Sequence, residues 1–300
     1  MIVFVAPGQG SQTPGFLEPW LADPAVRELL SGWSEAIGVD LVAHGTVSDA
    51  DTIRDTAVAQ PLIVAAGLLT ARALRAAGVE IGAVAGHSVG EITAAAIASI
   101  LSEADALAFV RARALAMADA SAAVPTGMSA VLGGEQDAVV AHLSALGLEP
   151  ANYNGGGQIV AAGELPALAE LTANPVRGTR VIPLRVAGAF HTRFMAPARE
   201  VLRAEASGFT PADPAITIWT NKDGSVVGSG AEFLELLIGQ VANPVRWDLD
   251  MQAFAAAGVT GLVELAPAGA LIGLAKRGLK GTPAVGITTP EDVAAAAALV

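Results

Sequence analysis

The sequence contains no cysteine, which excludes disulfides, a cysteine nucleophile and thiolate-bound metal. Charged residues are also scarce: they make up 15% of the chain, against 53% hydrophobic residues. This composition excludes an extended disordered chain and is typical of a compact globular protein. The segment Met1–Ala6 carries no basic residue and no cleavage-like site, so no signal peptide is recognisable. We therefore expect a cytoplasmic protein.

Basic residues are outnumbered, with 17 Lys and Arg against 29 Asp and Glu, and the net charge is −12. We expect no nucleic-acid partner, because phosphate binding requires a basic surface. Weakly charged stretches such as Ile92–Leu101 are shorter than the roughly 20 residues that a bilayer requires, so we also expect no membrane partner. The four histidines lack the spacing of metal ligands, and we expect no metal and no other cofactor.

The most informative segment reads Gly86-His87-Ser88-Val89-Gly90. It follows the apolar run Ile81–Ala85 and precedes the helix-like run Glu91–Leu101, which is the strand–turn–helix context of a nucleophile elbow. Glycine on both sides of so sharp a turn removes side-chain clashes and leaves the serine oxygen clear of the backbone. The pattern predicts that Ser88 is a nucleophile, and the alternative interpretation is a structural turn.

Apolar strand-like runs alternate with helical patterns in the first part of the chain. Ile2–Ala6 is typical of a buried strand, and helical periods follow at Ala22–Ala36, Gln60–Ala77 and Ser102–Ser121. Such alternation predicts an α/β fold with a mostly parallel sheet and helices on both faces.

The pattern changes after Pro125 and resumes after Gly188. Between these points it predicts the order βαββαβ, which is typical of a ferredoxin-like module. The predicted elements are the strands Met128–Leu132, Glu149–Tyr153, Gln158–Ala162 and Arg180–Val186 and the helices Gln136–Leu146 and Leu165–Leu171. Further strands are predicted at Ala215–Thr220 and Gly261–Leu265. We therefore predict a discontinuous domain of residues 1–125 and 188–300, with residues 126–187 inserted as a small subdomain.

A serine nucleophile requires a base, and histidine is the usual one. His87 adjoins Ser88 and is expected to pack elsewhere, His44 is expected in a surface loop, and His142 on a solvated helix face. This leaves His191, at the junction where the chain returns to the large domain. The acidic residues between Ser88 and His191 lie mostly on predicted helices or in the inserted module, so the Ser…Asp…His order of hydrolases fits poorly. None of the later residues Asp213, Asp223, Asp248 and Asp250 follows an obvious core strand. A dyad whose imidazole is oriented by a neutral carbonyl fits better.

Several blocks of sequence, in the same order, carry a resemblance to a known family. They are Ala6–Gln12, Gln60–Pro61, Gly86–Glu91, the helix with Arg113, Ala151–Asn154, Gly188–Thr192 and Gln240–Val245. Over nearly all its length the chain resembles bacterial malonyl-CoA:acyl-carrier-protein transacylases of the Ala-rich actinobacterial type. The resemblance implies an α/β-hydrolase-like core with a ferredoxin-like insertion.

The same resemblance implies roles for particular residues. Ser88 would be acylated, His191 would be its base, and the backbone carbonyl of Gln240 would orient His191. The backbone N–H groups of Gln9 and Val89 would form the oxyanion hole.

The resemblance also implies how the substrate is held. Arg113 would bind the malonyl carboxylate with Gln60 beside it, as the planar guanidinium suits a carboxylate. From the residues alone, Arg111 and Arg113 lie equally well among apolar neighbours, and neither stands out. Phe190 would adjoin the acyl group, since in related polyketide acyltransferases Phe at this place goes with malonyl and Ser with methylmalonyl. Ordinary core packing is the alternative for Phe190.

The function implied is ping-pong transfer of malonyl from malonyl-CoA to the phosphopantetheine thiol of acyl carrier protein, in fatty-acid or polyketide synthesis. We expect those two partners, a monomeric enzyme, and carrier docking on the basic cluster Lys276, Arg277 and Lys280. Two other functions remain open. A serine esterase or thioesterase would release free acid, and a degenerate docking module would lack one of Ser88, His191 and Arg113.

Overall fold

Two β-sheets of different type organise the chain, and the computed structural model describes all 300 residues. The nine strands are β1 (Ile2–Ala6), β2 (Ala83–Gly86), β3 (Thr126–Gly133), β4 (Glu149–Gly155), β5 (Gln158–Glu164), β6 (Thr179–Pro183), β7 (Thr217–Ile218), β8 (Gly261–Glu264) and β9 (Ala284–Gly286). Strands β3 to β6 form one sheet, and the other five strands form the second.

Twelve α-helices connect and cover these sheets. They are α1 (Pro24–Ile37), α2 (Leu41–Thr46), α3 (Thr56–Ala76), α4 (Gly90–Ile97), α5 (Glu103–Ala123), α6 (Gln136–Ala145), α7 (Leu165–Ala173), α8 (Ala196–Ala206), α9 (Gly230–Gln240), α10 (Trp247–Ala256), α11 (Ala270–Gly278) and α12 (Asp292–Leu299). Short 3₁₀ turns lie at Trp20–Ala22, Thr52–Arg54 and Arg193–Met195.

The five-stranded sheet has the order β7-β2-β1-β8-β9, and all of its pairings are parallel. Side chains of a strand alternate between its faces, and β1 shows the result. Phe4 and Ala6 belong to the main hydrophobic core, whereas Val3 and Val5 belong to a second core with Trp247. Helices therefore bury both faces of this sheet, as the alternation in the sequence predicted.

The four-stranded sheet is antiparallel, with the order β4-β5-β3-β6. Its elements follow one another as βαββαβ, in agreement with the predicted order, and differ from the predicted bounds by a few residues at their ends. Val131 and Ile159 on one face pack against Leu143 and Leu168 of helices α6 and α7. Met128 and Ala130, on the opposite face of β3, line a cavity that lies between the two sheets.

Some local predictions were wrong. His44 lies in helix α2 rather than in a loop, because Asp40 caps that helix by accepting a hydrogen bond from the Ala43 N–H at 2.9 Å. Helix α3 begins four residues before the predicted Gln60, since Asp55 caps it in the same way. The helix after Ser88 ends at Ile97 rather than Leu101, as Ser99 adopts a left-handed backbone with φ +64°.

Helix α3 also corrects the expectation about long apolar stretches. It has 21 residues and a mean hydropathy of 1.6 over its most apolar window, so by length and composition it is long enough to cross a membrane. However, 78% of that window is buried inside the protein, where α3 packs against α5 and α4. The apolar side chains of α3 are therefore part of the protein core.

Candidate active site

The turn that carries Ser88 is sterically tight. Strand β2 ends at Gly86 and helix α4 begins at Gly90, and Ser88 between them has a left-handed backbone with φ +53°. A Cβ atom on Gly86 would lie 2.1 Å from the carbonyl carbon of Gly90, and one on Gly90 would lie 2.1 Å from the backbone oxygen of Ala6. Any side chain at either position would clash, so the predicted need for both glycines is confirmed.

Ser88 and His191 are in direct contact. The distance from Ser88 Oγ to His191 Nε2 is 2.7 Å, and His191 Nδ1 lies 2.8 Å from the backbone carbonyl oxygen of Gln240. Because a carbonyl oxygen can only accept, Nδ1 carries the proton and Nε2 presents its lone pair to the serine hydroxyl. The imidazole has a neutral carbonyl partner rather than a carboxylate, in agreement with the predicted dyad.

His191 is held in a strained and buried position. Its backbone is left-handed, with φ +61°, which is uncommon for a residue other than glycine, and its side chain is buried. Burial, together with the positive charge of Arg113, lowers the pKa of His191 to about 3. The imidazole is therefore neutral near pH 7 and able to accept a proton.

Two backbone amides near the turn have no partner within the protein. The N–H groups of Gln9 and Val89 donate no hydrogen bond to any group of the chain. Val89 is the N-cap of helix α4, where the helix dipole is positive. Gly8 allows close approach to the elbow, because a Cβ there would lie 2.9 Å from His87 Nδ1. Both amides are thus free to donate to a bound group.

Arg113 of helix α5 is fully buried beside the serine. Its Nη1 donates to Gln60 Oε1 at 2.7 Å, and its Nη2 donates to Gln240 Oε1 at 2.7 Å and to Ser88 Oγ at 3.3 Å. Burial lowers the pKa of Arg113 to about 9, so the guanidinium is still charged near pH 7. A cation with unused N–H groups therefore lies within reach of whatever Ser88 attacks.

Arg111, which the sequence could not distinguish from Arg113, lies elsewhere. Its Nη1 donates to the carbonyl oxygen of Ala57 at 3.1 Å. Ala57 would ordinarily accept from the N–H of residue 61, but Pro61 has none. Arg111 thus satisfies a carbonyl that the proline leaves free, and its role is structural.

Sequence reasoning missed the side chains of Gln240 and Glu91. Gln240 Nε2 donates to the backbone oxygen of Ser88 at 3.0 Å and to Glu91 Oε2, and Glu91 Oε1 accepts from the Asn221 N–H at 2.7 Å. Burial raises the pKa of Glu91 to about 7. One signal was available, because Glu91 is the only charged residue between Ser88 and Ser102.

A cavity of about 440 Å³ gives access to Ser88 and His191. It extends from the carboxyl ends of β1 and β2 to the open face of the antiparallel sheet. Gln9, Gln60 and Phe190 line it, and Arg277 of helix α11 does so as well. Its apolar walls include Met117, Met128, Ala130, Val160, Leu184, Val186, Leu271 and Leu274.

The other histidines do not contact the Ser88 hydroxyl. His87 is buried in edge-to-face contact with Trp247, with Nε2 2.9 Å from Asn154 Oδ1, in agreement with the predicted packing role. His44 Nδ1 contacts Ser48 Oγ, and His142 Nε2 contacts the carbonyl of Asn174. No group of three or more His, Cys, Asp or Glu side chains is arranged to hold a metal ion.

Comparisons with known proteins agree on one family. The acyl transferase domain family matches residues 3–297. A malonyl CoA-acyl carrier protein transacylase of Mycobacterium tuberculosis is 49% identical over 297 residues, which cover 98% of each chain. The crystal structure of MCAT from Mycobacterium tuberculosis superimposes with a TM-score of 0.95 at 48% identity, covering 99% of each chain.

A more distant solved structure contains a type II PKS acyl-carrier protein in complex with its malonyl-transacylase. It covers 99% of both chains, with a TM-score of 0.92 at 27% identity. The family match, the sequence identity over the whole length and the fold all agree on the same family. The chain therefore belongs to the acyl transferase family and, within it, to the malonyl CoA-acyl carrier protein transacylases.

Proposed function

We propose that this enzyme transfers malonyl from malonyl-CoA to the phosphopantetheine thiol of acyl carrier protein through a malonyl ester of Ser88. The observation that carries the proposal is a chain of two hydrogen bonds beside the buried guanidinium of Arg113. One joins Ser88 Oγ to His191 Nε2 at 2.7 Å, and the other joins His191 Nδ1 to the carbonyl oxygen of Gln240 at 2.8 Å. A nucleophile, its base and a carboxylate-binding cation are thus within reach of one acyl group.

In the first half-reaction, His191 Nε2 takes the Ser88 hydroxyl proton while Oγ attacks the thioester carbonyl carbon. The amides of Gln9 and Val89 donate to the resulting oxyanion. The carbon–sulfur bond then breaks, and His191 returns the proton to the CoA thiolate. In the second half-reaction the carrier thiol gives its proton to His191 and attacks the carbonyl carbon of the Ser88 ester. The bond between Ser88 Oγ and that carbon breaks, His191 returns the proton to Oγ, and the carrier leaves as malonyl thioester.

Arg113 selects substrates that carry a free carboxylate. Its guanidinium group already donates to two amide oxygens, Gln60 Oε1 and Gln240 Oε1, each at 2.7 Å. These contacts fix the guanidinium plane and leave N–H groups for the malonyl carboxylate, which can bind with two parallel hydrogen bonds. Phe190, in the cavity wall, limits the space around the carbon between the malonyl carbonyls.

We extend the proposal to the domain description. Residues 1–125 and 188–300 would form an α/β-hydrolase-like catalytic domain, and residues 126–187 a ferredoxin-like subdomain. The sheet order β4-β5-β3-β6 supports the ferredoxin-like description, since it puts the first and third strands of the module at the centre of the sheet. The parallel sheet with Ser88 after β2 supports the hydrolase-like description.

Docking of the acidic carrier would use Lys276, Arg277 and Lys280, which are exposed and form no ion pair. Arg277 supports this assignment because it also lines the cavity mouth. The reaction would take place in the cytoplasm, and a single chain would suffice because one chain supplies every residue of the site.

Intact-mass measurement after brief incubation with malonyl-CoA tests the proposal. We expect one malonyl adduct, which disappears when acyl carrier protein is added, with malonyl appearing on the carrier. Release of free malonate instead would identify a hydrolase. The neutral carbonyl on His191 Nδ1 favours the transferase, since the hydrolase triad places a carboxylate there.

A further inference from the structure

Glu91 is a buried charged side chain near the site that the transfer steps above do not use. It lies in the first turn of helix α4, three residues after the nucleophile, and is fully buried. Its two oxygens have separate partners: Oε1 accepts from the backbone N–H of Asn221 at 2.7 Å, and Oε2 accepts from Gln240 Nε2. Asn221 is itself tied to the elbow, because its Nδ2 donates to the carbonyl of Gly86 at 2.9 Å.

The partners of Gln240 allow only one orientation of its side-chain amide. The Nε2 end faces two groups that can only accept, the Glu91 carboxylate and the Ser88 carbonyl. The Oε1 end faces a group that can only donate, the Nη2 of Arg113, at 2.7 Å. A flipped amide would set oxygen against oxygen and NH₂ against guanidinium.

We propose that Glu91 is a positioning residue for malonyl transfer: by fixing the side-chain amide of Gln240, it holds Arg113 in place to bind the substrate carboxylate. The proposal rests on the function proposed above and adds the group that controls the position of the Arg113 side chain. Because the backbone of Gln240 also orients His191, the same contact links the recognition of the acyl group to its chemistry.

Several charged groups surround Glu91, and its own negative charge acts on Arg113, where it opposes the effect of burial on the guanidinium pKa. Asp250 of helix α10 is buried, and both its oxygens lack partners within the protein. Burial and the neighbouring carboxylates raise the pKa of Asp250 well above its usual range. The remaining charged or titratable groups nearby are His191, Lys222, Asp223, Glu235, Arg246 and Asp248.

Glu91 also has its own route to solvent. A second cavity, of about 460 Å³, is lined by Glu91, Asn221 and Gln240 and shares no lining residue with the substrate cavity. Protons can therefore reach Glu91 while substrate fills the first cavity. Burial raises its pKa to about 7, so the Glu91 side chain changes charge near neutral pH.

The first test compares malonyl-CoA with acetyl-CoA, which has no free carboxylate, in the Glu91→Gln variant. A neutral amide at position 91 can present NH₂ to Gln240, which removes the charged acceptor of Gln240 Nε2 and weakens the preference for one orientation. We expect the malonyl-to-acetyl ratio of kcat/KM to fall about tenfold, the usual effect of losing one charge-assisted hydrogen bond. Equal losses for both substrates, or no change, would overturn the proposal.

A matched control and a second background make this test specific. Glu264 is likewise buried, but it accepts from the N–H groups of Gly269, Leu271 and Ile272 and does not contact Gln240. Glu264→Gln should leave the ratio unchanged. In an Arg113→Ala background, Glu91→Gln should lower malonyl transfer no further, whereas additive losses would mean that Glu91 does not act through Arg113.

The pH dependence of the unmodified enzyme tests the idea without any variant. The malonyl-to-acetyl ratio should fall as the pH drops through about 7, because protonated Glu91 loses the negative charge that strengthens its hydrogen bond from Gln240. His191, with its pKa near 3, does not titrate in that range. A flat ratio between about pH 6 and pH 8 would contradict the proposal. If the unmodified enzyme gains no malonyl mass at Ser88, the proposed function itself fails, whatever the ratio does.

Discussion

The nucleophile side of the site and the carboxylate-binding side are built differently. Ser88 and His191 are placed by their backbones, which are left-handed at both residues, and the glycines around Ser88 leave no room for a side chain. Arg113 is placed by other side chains, with amide oxygens of Gln60 and Gln240 at 2.7 Å on its two Nη atoms. Backbone strain fixes the positions of Ser88 and His191, and a buried polar network fixes the position of Arg113.

The two constructions are expected to tolerate change differently. A left-handed residue flanked by obligatory glycines has few alternatives, so changes there disrupt the turn itself. A buried hydrogen-bond network can lose one member and rearrange, at the cost of leaving polar groups unpaired. Substitutions on the nucleophile side should therefore abolish the reaction, whereas those on the carboxylate side should change which substrate is used.

The largest effect is expected from Ser88→Ala. Removing the hydroxyl removes the atom that carries the acyl group, so transfer should fall by a factor on the order of 10⁶. Intact mass after incubation with malonyl-CoA should show no adduct, while circular dichroism should be unchanged because Ala fits the same space. A malonyl adduct on the Ser88→Ala protein would show that another residue is the nucleophile.

Arg113→Ala should have the next largest effect, and it should depend on the substrate. The malonyl carboxylate would lose its charged partner, which costs about 2–4 kcal/mol, so kcat/KM for malonyl-CoA should fall about thirtyfold to a thousandfold. Acetyl transfer should fall much less or rise, since no carboxylate is left unpaired. Similar losses for the two acyl groups would give Arg113 a structural role.

Arg111→Ala is the matched control for that experiment. Arg111 lies two residues away on the same helix and donates to the Ala57 carbonyl that Pro61 leaves free. Its loss should lower the free energy of unfolding by about 1 kcal/mol, the value of one hydrogen bond, and leave the malonyl-to-acetyl ratio unchanged. A shift in that ratio would mean that the position of helix α5, rather than the Arg113 charge, determines substrate choice.

The same division decides what could be predicted from the sequence. A strained turn needs particular residues at fixed spacing, so Gly86 and Gly90 made Ser88 visible. His191 was predicted as the base by eliminating the other three histidines. A neutral carbonyl was predicted as its partner because the sequence offers no suitable acid. Arg113 was chosen over Arg111 only through the resemblance. A partner network of residues 60, 91 and 240 joins distant parts of the chain, and no local pattern encodes it.

The fold was predictable where one periodicity persisted over a whole element. The order βαββαβ and the parallel sheet were both confirmed in type. Most errors lie at element ends, where one side chain decides the boundary, such as Asp55 before helix α3 or Ser99 after helix α4. The short helix α2 around His44 was missed as a whole. Strand β7 has only two residues, Thr217–Ile218, against six predicted, because its pairing with β2 ends at Val84.

Phe190→Ser should change selectivity between two substrates that Arg113 does not distinguish. Phe190 lies in the cavity wall next to His191 and is nearly buried. Replacing its ring should make room for one added methyl, worth about 1–3 kcal/mol, so the methylmalonyl-to-malonyl ratio of kcat/KM should rise about tenfold. Mass labelling of Ser88 by malonyl-CoA would verify that the variant is still active. An unchanged ratio in a folded variant would leave Phe190 as core packing.

The smallest effect is expected outside both halves of the site, at Lys276 and Lys280. These exposed residues lie at the end of helix α11, one and three positions from Arg277 in the cavity wall. Reversing both charges, as Lys276→Glu and Lys280→Glu, should raise the KM for the acidic carrier protein severalfold, because rim charges mainly affect encounter. The KM for malonyl-CoA in the first half-reaction should not change, since neither lysine lines the cavity. The effect on the carrier KM should shrink at high salt, where exposed charges are screened. A carrier KM equal to that of the unmodified enzyme would place the docking surface elsewhere, whereas a parallel rise in both constants would mean that helix α11 shapes the cavity instead of receiving the carrier.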